Sequence, residues 1–297
     1  MILTFERAFE KYKAFMLRSN YSPVTIQNKY DVIFTFKNWL SRIDKNASGD
    51  LKLMTCEIML EYMDSLYLRE LYPYTIQIYM TYLRSFFKFL YADDSISQDP
   101  TRKIPTVKVP KKDIKFIAHE EIMEVLEDML LNMRKKGCRY KTAMRDYFII
   151  RCAYVTGWRA SESLGCDPAN INWDTGEVYL PRRKGGKDGR VYLDNETATM
   201  LKGWYYSNYP AGKRLWYSNQ GKPLNYNTYN KVFKSRFGVG SHRIRASMAT
   251  YFISKDVGIK DVADMLGHES VVSTMRYAAC LKTRIKDIHA LNNPFSK

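Results

Sequence analysis

The sequence predicts a mainly α-helical chain in two domains, with one small antiparallel β-sheet in the second. Apolar and aromatic residues recur at three- and four-residue spacing through most of the chain. A proline-broken basic stretch interrupts that pattern near residue 100. Only two short runs, EVYL at 177–180 and RVYL at 190–193, read as strands, and the glycine-rich PRRKGGKDG joins them as a hairpin turn. At 297 residues the chain exceeds what one hydrophobic core usually supports.

The first domain spans residues 1–92 and is expected to be all-helical. Phe5, Phe9, Tyr12, Phe15 and Met16 mark a first amphipathic helix. A pseudo-repeat at a fifty-residue shift then aligns Pro23, Thr25, Ile26, Gln27, Phe36, Trp39 and Leu40 with Pro73, Thr75, Ile76, Gln77, Phe86, Phe89 and Leu90. In each copy a proline at the first helical position opens an amphipathic run that ends in aromatics, so two matched core helices of one bundle are expected. Residues 93–115 carry Pro100, Pro105 and Pro110 with Lys108, Lys111, Lys112 and Lys115, the pattern of an extended basic linker suited to tracking a phosphate backbone. Residues 116–297 form the second domain, with helices at 119–133 and 142–155, the hairpin, and further helices rich in Trp and Tyr. Near its end Leu281, Ile285, Ile288 and Leu291 make one apolar stripe, suited to packing at home or on another subunit.

Composition narrows the function. The net charge of +16 predicts an anionic partner, with nucleic acid first in line. Residues 1–99 carry equal numbers of basic and acidic side chains, so the whole excess lies in 100–297. No run approaches the ~18 consecutive apolar residues of a membrane span. The N-terminal stretch lacks a signal-peptide core, which predicts a cytoplasmic protein without a membrane partner. Five cysteines without a CxxC spacing fit reduced thiols rather than a disulfide or zinc framework. Neither a Walker-type loop nor a clustered acidic set for Mg²⁺ is visible, so no cofactor and no metal are expected.

The densest chemistry lies at 240–279, GSHRIRASMATYFISKDVGIKDVADMLGHESVVSTMRYAA. His242 and Arg245 are three apart and share a helix side, with Ser241 expected as the N-cap behind Gly238 and Gly240. A helix N-terminus flanked by His and Arg suits an anion. Gly267 reads as the C-cap of a second helix at 259–266, leaving His268 just past it, and Tyr277 follows nine residues on. These residues describe a phosphate site with a phenol beside it.

Taken together, TGWRASE at 156–162, a hairpin lysine at 184, HRIR at 242–245, LGH at 266–268 and STMRY at 273–277 resemble the tyrosine recombinases, the phage integrase family, in order and spacing. The resemblance covers nearly the whole chain and is greatest to the Xer-type and simple integrase layout. It implies a helical core-binding domain at 1–92 and an α+β catalytic domain at 116–297 that ends in an exchange helix. One departure is Ala246, where most family members carry another basic residue directly after HxxR.

Residue by residue, the resemblance implies that Arg159 and Arg245 grip the scissile phosphate and that Tyr277 attacks phosphorus to give a 3′-phosphotyrosine. His242 assists as general base, Lys184 protonates the departing 5′-oxygen, His268 buttresses the phosphate, and Glu162 orients the first arginine. Lys187 competes with Lys184 for the acid role, and the motif position favours Lys184. Lys108, Lys111, Lys112, Arg182, Arg183, Lys187, Arg243 and Arg276 are expected as further DNA contacts. The implied partners are double-stranded DNA bearing a specific recombination site, three more copies of the chain in a synaptic homotetramer, and an accessory protein. The implied function is site-specific recombination through a Holliday junction. Two alternatives remain open: a type IB topoisomerase or telomere resolvase with the same chemistry, and a catalytically silent DNA-binding relative.

Overall fold

In the computed structural model, which describes residues 2–110, 115–133, 140–181, 183, 186–209, 211–268 and 270–278, apolar side chains gather into two separate cores. The chain divides accordingly into Met1–Lys111 and Lys112–Lys297.

The first unit is helical: α1 (Phe5–Arg18), α2 (Pro23–Ile43), α3 (Lys45–Gly49), α4 (Cys56–Leu68) and α5 (Pro73–Ala92), with a 3₁₀ turn at Leu51–Leu53. Thr4, Ser22 and Thr55 cap α1, α2 and α4 by accepting from backbone N–H groups of the first turn. Proline opens both α2 and α5, where a missing N–H costs nothing. The matched residues of the pseudo-repeat meet in one core: Ile26, Phe36 and Leu40 of α2 and Ile76, Phe86 and Leu90 of α5 are all buried. Phe15, expected on the buried face of α1, is instead exposed.

The first core runs on past residue 92, into the segment expected as an extended basic linker. Ile96, Ile104 and Val107 are buried in it, and the Arg84 guanidinium donates to the carbonyls of Ile104 (3.0 Å) and Pro105 (2.8 Å). Prolines leave this stretch extended, and the apolar residues between them reach the bundle while Lys108 stays exposed. Lys111 and Lys112 lie outside the described residues.

The second unit comprises α6 (His119–Met133), α7 (Tyr140–Thr156), α8 (Ala160–Gly165), β1 (Glu177–Leu180), β2 (Gly189–Tyr192), α9 (Asn195–Asn208), α10 (Tyr226–Phe237), α11 (Ser241–Ser254), α12 (Ile259–Leu266) and α13 (Val271–Ala278). Helices α7 and α11 pack on each other and are buried along most of their length, forming the spine of this unit. β1 and β2 pair antiparallel with Val178 opposite Val191, both buried. β2 starts at Gly189, one residue before the expected run, because Gly189 pairs with Leu180. Among the described residues, no helix is long and apolar enough to cross a membrane. The apolar stripe at 281–291 lies outside them.

A charged group sits in the first core. Lys29 is 5% exposed, and its ammonium donates to the Tyr12 (2.6 Å) and Ser85 (2.7 Å) hydroxyls. No carboxylate pairs with it among the described residues, and burial holds its pKa below the ordinary lysine value. A buried charge without a counter-ion is costly, and the Tyr12 and Ser85 hydroxyls also bond each other. Lys29→Met is therefore expected to raise the unfolding free energy of the first unit by about 1 kcal/mol, read as a higher calorimetric midpoint. A lower midpoint would assign the ammonium a net stabilising role.

Candidate active site

Helix α12 ends in a left-handed glycine, Gly267, at φ 59° and ψ 50°. Its N–H donates to the Asp264 carbonyl (2.9 Å) and the His268 N–H to that of Ala263 (2.9 Å), which reverses the chain and stops the helix. The final carbonyls of a helix have no partner within it and carry the negative end of its dipole. Guanidinium groups meet them here. The Leu266 carbonyl accepts from Nη2 of Arg183 (3.0 Å) and from Nη2 of Arg245. The Gly267 carbonyl accepts from Nη2 of Arg159 (3.2 Å).

Each arginine arrives from a different element. Helix α7 stops at Thr156, Gly157 turns at φ 59°, and buried Trp158 anchors the turn so that Arg159 becomes the N-terminal flank of α8. Arg245 lies one turn into α11, 2% exposed, and also donates Nη1 to the Gly157 carbonyl. Arg183 comes from the hairpin. The Glu162 carboxylate binds two of them. It accepts from the Arg159 N–H (2.7 Å) and Nη1 (2.9 Å) and from Nε of Arg183 (3.0 Å). Burial alone would raise the Glu162 pKa, but the bonds from Arg183 and Arg159 hold it below the ordinary glutamate value.

Against this cluster lies a cleft of about 500 Å³ lined by His242, His268, Arg243, Arg276, Lys115 and Tyr277, among others. Tyr277 of α13 is 5% exposed, and its ring lies nearly parallel to that of His268, with centroids 6.3 Å apart. Nδ1 of His268 bonds the Thr274 hydroxyl (2.8 Å). Arg245 does not line the cleft, but its Nε is buried without a hydrogen-bond partner among the described residues.

The cations set the electrostatics. Burial, then Arg245 and Arg159, push the His268 pKa down to about 4. Burial and the same two guanidiniums, with Arg243, lower that of His242. Burial raises the Tyr277 phenol, and Arg245, Arg276 and Arg159 oppose it. Arg245 itself falls to about 10, through burial and then Arg159. Burial is the first cause throughout; the gathered positive charge adds to it at the histidines and Arg245 and opposes it at the phenol.

The structure thus brings Arg159, Glu162, His242, Arg245, His268 and Tyr277 together, from segments more than one hundred residues apart in sequence. Arg243 and Arg276 also reach the cleft, and Arg243 donates to the Lys115 carbonyl. Lys187 is exposed on the hairpin. Lys184 and Arg182 lie outside the described residues. Two expectations are corrected. Arg183, read as a DNA contact, is 7% exposed and its guanidinium is bound to Glu162 and Leu266, because the hairpin turns it inward between two glycines. Ser241, read as the N-cap of α11, is its first helical residue, and Gly240 precedes it. Asn230 of α10 supplies the cap instead, its Oδ1 accepting from the Ser241 N–H (2.9 Å). Sequence reasoning missed Thr274 and Asn230, whose partners are set only by packing.

The phage integrase family matches residues 116–284. The chain is 23% identical over 301 residues to the tyrosine recombinase XerC of Halalkalibacterium halodurans, covering 94% of each. It is 24% identical to the XerC of Bacillus subtilis, covering 99% of this chain and 97% of that one. In fold it is similar to a lambda integrase dimer bound to a COC' core site, with a TM-score of 0.69 at 15% identity over 93% of this chain and 77% of that one. It is also similar to the XerH site-specific recombinase bound to a palindromic difH substrate after cleavage, with a TM-score of 0.68 at 22% identity over 92% and 81%.

The depressed His268 carries a pH consequence. Its folded pKa lies below the unfolded value of ~6.5, so the unfolded chain takes up the extra proton as pH falls, and stability drops between ~6.5 and about 4. In an NMR titration the His268 imidazole should show a midpoint of about 4; a midpoint at or above ~6.5 would mean that neither burial nor the arginines hold it down.

Proposed function

The chain belongs to the phage integrase family, and we propose that it is a site-specific DNA recombinase that cuts and rejoins one strand at a time through Tyr277. The observation that carries this reading is the placement of Tyr277 and His268 side by side in a cleft shared with His242, against the arginines held at the end of α12.

In the proposed reaction, the scissile phosphate lies over Arg159 and Arg245. Guanidinium suits a phosphate because its planar N–H groups bind two oxygens and its charge persists at any working pH. Their hold strengthens as charge gathers on the non-bridging oxygens in the transition state. The Tyr277 phenol, raised by burial, needs a base. A histidine held below its ordinary value is neutral near pH 7 and able to take a proton, which is the condition of His242. The phenol oxygen forms a bond to phosphorus, the bond from phosphorus to the 5′-oxygen breaks, and Lys184 supplies the proton that this oxygen needs to leave. The product is a 3′-phosphotyrosine and a free 5′-hydroxyl. The covalent intermediate retains the energy of the phosphodiester, so a 5′-hydroxyl from another strand reverses the step without an outside energy source.

Two sites exchanging strands in sequence would pass through a Holliday junction within a tetramer. The 281–291 stripe is the segment suited to link neighbouring subunits. Lys108, Lys187, Arg243 and Arg276, with Lys111, Lys112 and Arg182, would bind flanking phosphates, and an accessory protein would set direction. No cofactor is required by this chemistry, and the cytoplasm is its expected compartment.

A nicked suicide substrate bearing the target site should trap a covalent adduct with the wild-type chain. Tyr277→Phe should bind DNA with unchanged affinity and form none; an adduct persisting in that variant removes Tyr277 as nucleophile. Lys184→Ala should slow adduct formation on ordinary DNA by about 10²–10⁴-fold, and far less on a substrate whose leaving group is a 5′-thiol, because a thiolate departs without a proton. Equal losses on both would shift the acid role to Lys187.

A further inference from the structure

Arg183 has a place in this site that its position on a hairpin does not announce. Its side chain is buried and joins two structures that hold the other arginines. Nε donates to Oε1 of Glu162 (3.0 Å), the same oxygen that accepts from Nη1 of Arg159 (2.9 Å). Nη2 donates to the Leu266 carbonyl (3.0 Å), which also accepts from Arg245.

The side chain reaches this position between two glycines. A Cβ on Gly189 would stand 2.4 Å from Cδ of Arg183, and one on Gly267 would stand 2.5 Å from its Nη1. No side chain at either position is compatible with the guanidinium where it lies. The backbone of Arg183 is fixed as well, with its N–H donating to the Lys187 carbonyl (2.8 Å) and its carbonyl accepting from the Gly186 N–H (2.8 Å).

We propose that Arg183 is a positioning residue for the phosphate-binding pair, acting through Glu162 on Arg159 and through the Leu266 carbonyl on Arg245. Glu162 carries one negative charge and two guanidinium partners. With Arg183 as a standing partner, the carboxylate stays in place when Arg159 turns N–H groups toward an incoming phosphate. Without it, Arg159 is the only guanidinium left on a buried carboxylate, and the pairing competes with the phosphate. Arg183 also adds charge to the cluster, lowering both Arg245 and His268, so the site favours an anion more than Arg159 and Arg245 would alone. This inference rests on the recombinase reading, because it needs a phosphate to be held for attack.

The test compares single-turnover adduct formation on two suicide substrates, one with an ordinary scissile phosphate and one with a methylphosphonate there. The methylphosphonate lacks the negative charge that the arginines are held to receive. Arg183→Gln should slow the phosphate reaction by about 10–100-fold, the usual effect of losing a partner that orients a ligand-holding group. The loss on methylphosphonate should be several-fold smaller. Arg183→Lys, which keeps the charge and a donor, should recover part of the rate. Gly189→Ala provides a second route if Arg183→Gln folds poorly. The three atoms nearest its added methyl all belong to the Arg183 side chain, so it should reproduce the same substrate-dependent defect with every charge retained. Equal losses on the two substrates, or wild-type rates in both variants, overturn the positioning role while the recombinase reading stands. Failure of the wild-type chain to form any Tyr277 adduct overturns both.

Discussion

Three guanidinium groups cannot ordinarily be gathered in a half-dry place, since each repels the others and each loses water. The C-terminus of α12 makes the gathering possible. The carbonyls of Leu266 and Gly267 are left over when the helix stops, and they accept from Arg183, Arg245 and Arg159. A helix end supplies partial negative charge at fixed points without adding a carboxylate that would fill the site. Glu162 offsets one charge of the three and is tied to α8 by the Arg159 N–H. The positive excess that remains is held in place by backbone that cannot titrate.

That excess governs the groups in the cleft. Both histidines are kept neutral by burial and by the guanidiniums, which suits one of them to accept a proton. The phenol is pulled in two directions, up by burial and down by the same cations. A phosphate bound as proposed would add an anion to this cluster and ease the repulsion among the arginines while accepting their hydrogen bonds. The proposed chemistry and the electrostatics of the cleft are then linked through burial and the same guanidiniums.

The sequence made much of this legible, for reasons that differ by residue. His242 and Arg245 were readable as neighbours because helix periodicity alone brings them together. Gly267 was readable as a helix stop because a left-handed residue follows from glycine next to a finished amphipathic run. Proline at the first helical position disclosed the matched helices α2 and α5. Arg183 was misread because a basic residue in a hairpin turn among other basic residues is usually solvated, and only the glycines at 189 and 267 allow it inward. Those glycines are distant in sequence from each other, and nothing local connects them. Asn230 was invisible for a similar reason, since its capping of α11 depends on how α10 packs. In the segment after residue 92, prolines and lysines mask Ile96, Ile104 and Val107, which pack on the first core.

The glycines also show what the site requires. Gly157 takes φ 59° with space for a Cβ blocked by Met248 at 2.8 Å, and Gly267 takes φ 59° under Arg183. Glycine loses more freedom on folding than other residues, but at a left-handed φ alanine is strained, so at these two positions glycine is the residue that fits. Buried Arg245 subtracts from stability. A left-handed glycine is itself a common helix ending, so the cost lies in the buried guanidinium and not in the ends of α7 and α12. The arrangement makes sense only if the carbonyls of Gly157, Leu266 and Gly267 must face inward, since a left-handed residue at the first and third is what turns them toward the arginines. The same backbone conformation therefore ends the helices and creates the acceptors that hold the cations, and neither can be changed without the other.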